Sequence, residues 1–289
     1  MSSAAEVIHT PEISSSSWGL WVRQIRAIMR LELEKNFFSR RSILIYLIAS
    51  LPLLPLIAFA FVPAGEERSF NNLSLIYAVL YHTLILRTVI FFGCAWIFMN
   101  LFRGELVDRS LHYYFLSAVR RDVLVTGKYL SGLVTSVVFF TTTTVVSMLL
   151  LYLPQFYSQS LRYFTEGRGL GQLLTYAGIT MLACVGYGAF FLVVGLFIRN
   201  PIVPALLLYG WEWLNFLLPP VLKKISVIHY LNSLSPVPVS AAIKEGPLAV
   251  IAEPTPAYIS IPSMLLVTLI VLVVAGYRTR HMEIRYGSD

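Results

Sequence analysis

Six apolar runs dominate the chain, at about 42–62, 74–102, 125–153, 170–198, 201–221 and 259–277. Each can cross a bilayer, whose hydrocarbon core of about 30 Å needs roughly 20 helical residues. In hydrocarbon the backbone must satisfy its own N–H and C=O groups, which leaves only helices and closed barrels. Barrel strands alternate apolar and polar residues over about ten positions, and runs such as "FFGCAWIFMNLF" and "MLLVTLIVLVVAGY" do not alternate. The expected fold class is an all-α integral membrane protein with six transmembrane helices. The charged fraction agrees, at 13% of 289 residues, where a soluble domain carries about 25%.

The net charge of +7 would fit a nucleic-acid ligand only if Lys and Arg clustered on one surface. They are instead divided by loop. Of the 22, fifteen fall on one side of the predicted spans and six on the other, with Arg87 inside a span. By the positive-inside rule this places both termini in the cytoplasm and accounts for the basic balance without nucleic acid. No apolar signal core precedes Ser42, so the N-terminal segment is expected to remain on the mature protein. Cys94 and Cys184 fall inside predicted spans without a Cys-x-x-Cys pair and read as small packing residues.

The organisation follows from these runs. Residues 1–17 are polar and aperiodic and read as a disordered cytoplasmic tail. Residues 18–41 form an amphipathic helix: Trp18, Trp21, Ile25 and Ile28 recur at helical spacing, while Arg23, Arg26, Arg30 and Glu34 share another face. Such a helix lies in a membrane interface or packs on a partner protein. The six-span domain, 42–277, should be kinked at Pro52 and Pro55. It contains a cytoplasmic loop at 103–121 and an external segment at 222–258 with five prolines, which could re-enter the outer interface. Residues 278–289 are a cytoplasmic tail.

Catalytic signatures are missing. "DVLVTGKY" at 122–129 lacks the first Gly and the final Ser/Thr of a phosphate-binding loop, and its flanks predict helix. There is no His-Glu-x-x-His or Gly-x-Ser-x-Gly, and the five histidines are scattered. The chain is therefore not expected to be an enzyme, and no catalytic, cofactor-binding or metal-binding residue is assigned. Two spans carry costly charges. Arg87 and Glu212 fall near the middle of the second and fifth runs, where a charge costs about 2.5–3.5 kcal/mol on insertion scales. They form an interhelical pair or line a shared polar cavity, or else each contacts backbone carbonyls or a headgroup separately. Thr141–Thr144 reads as interhelical glue or back-bonded hydroxyls rather than a substrate path. "GYG" at 186–188 lacks the Thr-Val of a potassium filter and reads as close helix packing.

The loop "FRGELVDRSLHYYFLSAVRRDVLVTGKYLSGL" mixes charge with three adjacent aromatics, Tyr113, Tyr114 and Phe115, a composition suited to docking. It resembles the corresponding loop of ABC type 2 transporter permeases. The matching positions are Glu105, Ser110, Leu111, Leu116, Val119, Arg121, Gly127 and Lys128, and Ala118 stands where many members have Pro. "IRAIMRLELEKNFFSRRS" resembles the family's connecting helix, and "LNSLSP" at 231–236 its outer segment before the last span.

The resemblance implies the membrane-spanning subunit of an exporter in a bacterial cytoplasmic membrane. Two permease chains, alike or different, would work with two ATP-binding subunits, and ATP and Mg would be bound by those partners. The loop 103–121 would include a coupling helix. Glu105, Asp108, Arg109 and Arg121 would set its electrostatic fit to the ATPase, and Leu111, Tyr114 and Phe115 would anchor it. The alternative is a six-span ion-coupled secondary transporter or channel that works without an ATPase.

Overall fold

The computed structural model describes residues 17–40, 42–61, 70–107, 120–152, 157–198, 200, 202–214, 219, 222, 226–237 and 255–280. All regular elements among them are helical. Five helical stretches are long and apolar enough to cross a membrane: Ser42–Ala60, Asn72–Phe102, Arg121–Tyr152, Gly169–Phe197 and Ala257–Tyr277.

Helix α1, Ser17–Phe38, precedes the first of these. The first span is two helices, α2 at Ser42–Ser50 and α3 at Leu53–Ala60. The break falls at Pro52, which has no N–H to continue the ladder. The second span is α4, Phe70–Leu80, then a π-helical segment, Tyr81–Ile90, then α5, Phe91–Val107. The wider winding is visible in Thr88, whose hydroxyl donates to the Thr83 carbonyl five residues back at 3.2 Å. The remaining elements are α6 (Arg121–Tyr152), α7 (Tyr157–Thr165), α8 (Gly169–Phe197), α9 (Ile202–Trp213), α10 (Val227–Ser233) and α11 (Ala257–Arg280).

Helix α8 is apolar all round, as a helix surrounded by others must be, and it is the most buried of the five spans. It touches α5 backbone to backbone: a Cβ on Gly195 would stand 2.7 Å from the Met99 Cα. On another face the Thr144 and Thr180 hydroxyls meet at 3.0 Å, and the Tyr129 hydroxyl donates to the Val185 carbonyl at 3.1 Å. These contacts make α6 and α8 antiparallel. The Thr141–Thr144 run does supply both kinds of hydroxyl contact expected of it. Thr144 bonds back to Phe140, and Thr143 reaches across to the Ala49 carbonyl. Cys94 and Cys184 are free and buried.

The run expected to form a span at 201–221 differs from the other five. Its described helix is the 12-residue α9, about 18 Å long at 1.5 Å per residue and too short to cross. It stops just beyond Glu212, ahead of Pro219 and Pro220, where a charge and missing N–H groups both disfavour an apolar continuous helix. The topology still requires a return. The Arg121 guanidinium, at the start of α6, donates to the Thr279 carbonyl near the end of α11 at 3.1 Å. Helix α11 is therefore antiparallel to α6 and parallel to α8. Two consecutive parallel helices need a connection that travels back along the bundle, and α9 and α10 are the helices on that path. Helix α10 is sunk into the protein, with Ile228 and Leu231 fully buried.

Candidate functional site

The first candidate lies at the foot of the bundle, on either side of the loop 103–121. Helix α1 packs lengthwise on the first half of α6. Its apolar stripe of Trp21, Ile25 and Ile28 covers Val123 and Leu124, and Ile28 fits over Gly127, where a Cβ would stand 3.0 Å from its side chain. The next residue on this stripe is charged. Glu32 meets the ammonium of Lys128 at 2.7 Å, and both are buried, Lys128 completely. The same ammonium donates to the Leu101 carbonyl near the end of the second span at 2.8 Å and sits 5.3 Å from the Phe102 ring centre. Asn36, one turn on, donates to the Thr135 hydroxyl at 3.3 Å.

Sequence reasoning named Lys128 as part of a motif but missed its partner. The signal was present in the spacing: Glu32 continues the series 21, 25, 28 on the apolar face, where an exposed carboxylate has no place. One face of α1 is covered by this packing. Helix α6 has 32 residues, so at ~48 Å it is longer than the hydrocarbon core by about 18 Å, and α1 packs on its first half. Its other faces still expose Trp18, Val22, Leu31 and Phe38.

Of the residues expected to dock a partner, Arg121 is the first residue of α6 and holds the end of α11 through Thr279. Its neighbour Arg120 lies 4.7 Å over the Trp21 ring of α1. Glu105 is in the last turn of α5. Asp108, Arg109, Leu111, Tyr114 and Phe115 lie outside the described residues. The foot thus joins α1, the end of α5, the start of α6 and the end of α11, and both ends of the loop emerge from it.

The second candidate surrounds Glu212. Its carboxylate accepts from the Ser226 hydroxyl at 2.5 Å and from the backbone N–H groups of Val227 and Ile228 at 3.2 and 3.1 Å. These are donors from the start of α10, so an acidic residue at the end of one short helix satisfies the start of the next. Arg87 is brought to the same region. Its guanidinium lies 5.6 Å from the ring centre of Trp213, and its charge acts on the Glu212 carboxylate, although none of the three hydrogen bonds comes from it. Beside Glu212 is a cavity of about 430 Å³ between α8, α9, α10 and α11.

A third polar group ties the helices together rather than forming a cavity. The Tyr77 hydroxyl donates to the Thr144 carbonyl at 2.8 Å, and the Tyr81 hydroxyl lies 2.9 Å from Thr180 Oγ1. Comparison with protein-family models, curated proteins and solved structures finds no match to this chain.

Proposed function

We propose that the chain is the permease subunit of an ATP-binding-cassette transporter. In this reading both termini are cytoplasmic, α1 is the connecting helix at the inner membrane surface, and the α9–α10 connection makes a sixth crossing in two pieces. A separate ATPase docks on 103–121. Closure of the ATPase pushes the loop, and the bundle exchanges inner for outer access. The observation that best supports it is the foot: a buried ion pair and the Leu101 carbonyl bond clamp α1 to the two helix ends from which the loop emerges. A force applied to the loop would enter α5, α6 and, through Arg121 and Thr279, α11 together. Rigid packing of this kind transmits displacement, whereas a loop hung on unlinked helix ends would absorb it. Two copies of the chain with two ATPases would complete the transporter.

The test is purification of the tagged chain from its host in mild detergent, with identification of co-purifying proteins and an assay of vanadate-sensitive ATP hydrolysis. Recovery of an ATP-binding subunit, lost when Tyr114 and Phe115 are both replaced by Ala, is the expected result. An ATPase-free oligomer under several mild extractions would overturn the proposal in favour of an ion-coupled transporter or channel.

A further inference from the structure

Helix α11 turns one stripe inward. Ser260, Met264, Thr268 and Ala275 are buried, whereas Leu265, Leu266, Leu269 and Ile270 between them are exposed. A hydroxyl on a helix is usually satisfied by a nearby carbonyl, and two on this helix are: Ser260 donates to Thr255 at 3.2 Å and Thr279 to Ala275 at 2.6 Å. Thr268 differs. It is 7% exposed, and its hydroxyl has no hydrogen-bond partner among the described residues, which costs free energy in an apolar interior. The Tyr152 and Tyr176 hydroxyls also lack partners, but they are sealed in packing; the Thr268 oxygen keeps accessible surface.

That surface meets a cavity. Thr268, Met264 and Val271 line a space of about 430 Å³ whose other walls come from α8, α9 and α10. The volume falls within the ~300–1,000 Å³ typical of small-molecule sites. Gly186 keeps one wall low, since a Cβ there would stand 2.8 Å from the end of Met264. Val267, also in the wall, is exposed, so the edge of the cavity lies on the outer surface of a helix long and apolar enough to span. The neighbour on that surface is lipid.

The apolar walls select a lipophilic body, and the polar lining is short of acceptors. Thr268 can donate, and Trp211 in the wall carries a donor and no acceptor. Glu212 already accepts three bonds from the start of α10. A neutral carbonyl supplies what is missing. A carboxylate would meet Glu212 as a like charge, and an ammonium would add donors where acceptors are wanted.

We propose that this cavity binds an uncharged lipophile bearing an ester or ketone carbonyl, which accepts from Thr268 while its chain lies against α8 and α11. That this lipophile is cargo would rest on the permease reading; that it binds does not. The test uses the full chain in lipid nanodiscs without any ATPase, so its failure is separate from failure of that reading. The probe is a fatty acid methyl ester with a photoreactive diazirine in its chain, and labelled residues are identified by mass spectrometry. Saturable labelling of the cavity wall is expected. Methyl palmitate should compete about fivefold to tenfold better than hexadecane, the worth of one hydrogen bond. Thr268→Val, similar in shape but without the hydroxyl, should erase that preference and leave hexadecane unchanged, and Thr268→Ser should keep it. Ser263→Leu, which fills the cavity from α11, should weaken both competitors; equal thermal midpoints guard against misfolding. Absence of saturable labelling at the wall, equal competition by ester and alkane, or an unaltered preference in Thr268→Val would each overturn the proposal.

Discussion

Replacing Lys128 by Met isolates what the foot junction contributes. At 2.7 Å and an effective dielectric of about 20, the attraction between Lys128 and Glu32 is about 6 kcal/mol. Desolvation of the two buried ions costs several kcal/mol each, so the pair is near break-even against an apolar replacement. Removing one member is different, because the other keeps its desolvation cost and loses its partner, at about 3–5 kcal/mol. Lys128→Met leaves Glu32 with Lys35, which lies 3.6 Å away but is half exposed, and removes the added bond to the Leu101 carbonyl; the expected cost is about 3 kcal/mol. Glu32→Leu strands a fully buried ammonium and should cost more, about 4 kcal/mol. The double variant should recover most of this. Unfolding in a mixed-micelle titration provides the four stabilities of a double-mutant cycle, with an expected coupling of at least ~2 kcal/mol. Additive single costs, with coupling below about 0.5 kcal/mol, would refute the claim that this pair clamps α1 to α6.

Two further substitutions probe the bundle. Gly195→Ala places a Cβ 2.7 Å from the Met99 backbone, so α5 and α8 must separate, at an expected ~1–3 kcal/mol of overpacking cost; a thermal midpoint equal to wild type would show that the helices are not in backbone contact. Glu212→Leu leaves the Ser226 hydroxyl and the Val227 and Ile228 N–H groups without their acceptor, at about 1–3 kcal/mol each if they stay buried. Faster proteolysis between α9 and α10 is the expected readout, with Glu212→Gln in between because it keeps one acceptor oxygen, and identical cleavage in all three would rule out the capping role.

Much of the architecture was legible because the bilayer is a demanding solvent. Long unbroken apolar runs leave few choices besides helices, and five of the six runs became helices long enough to span. Pro52 announced the break between α2 and α3 in the same direct way. The fifth run, 201–221, differs in that its described α-helix ends at Trp213, whereas hydropathy averages over a window and one Glu among apolar residues barely lowers it. Near the end of α9 the Glu212 carboxylate accepts from the donors at the start of α10, fourteen residues further on. The same limit of a local pattern applies to α1. Periodicity identifies an apolar face but not what covers it, and only packing chose α6 for the stripe that holds Trp21, Ile25 and Ile28.

The sequence by itself determined that the chain folds into helices, several long and apolar enough to span a membrane, and marked the residues whose burial would be costly as Arg87 and Glu212, though not Lys128. Each of those follows from transfer free energy, a property of single residues and short windows. The tertiary structure alone decided their partners. Lys128 found Glu32, 96 residues away, and Glu212 found the start of a helix not visible as one in the apolar pattern. Partner choice depends on how helices tilt and pack in three dimensions.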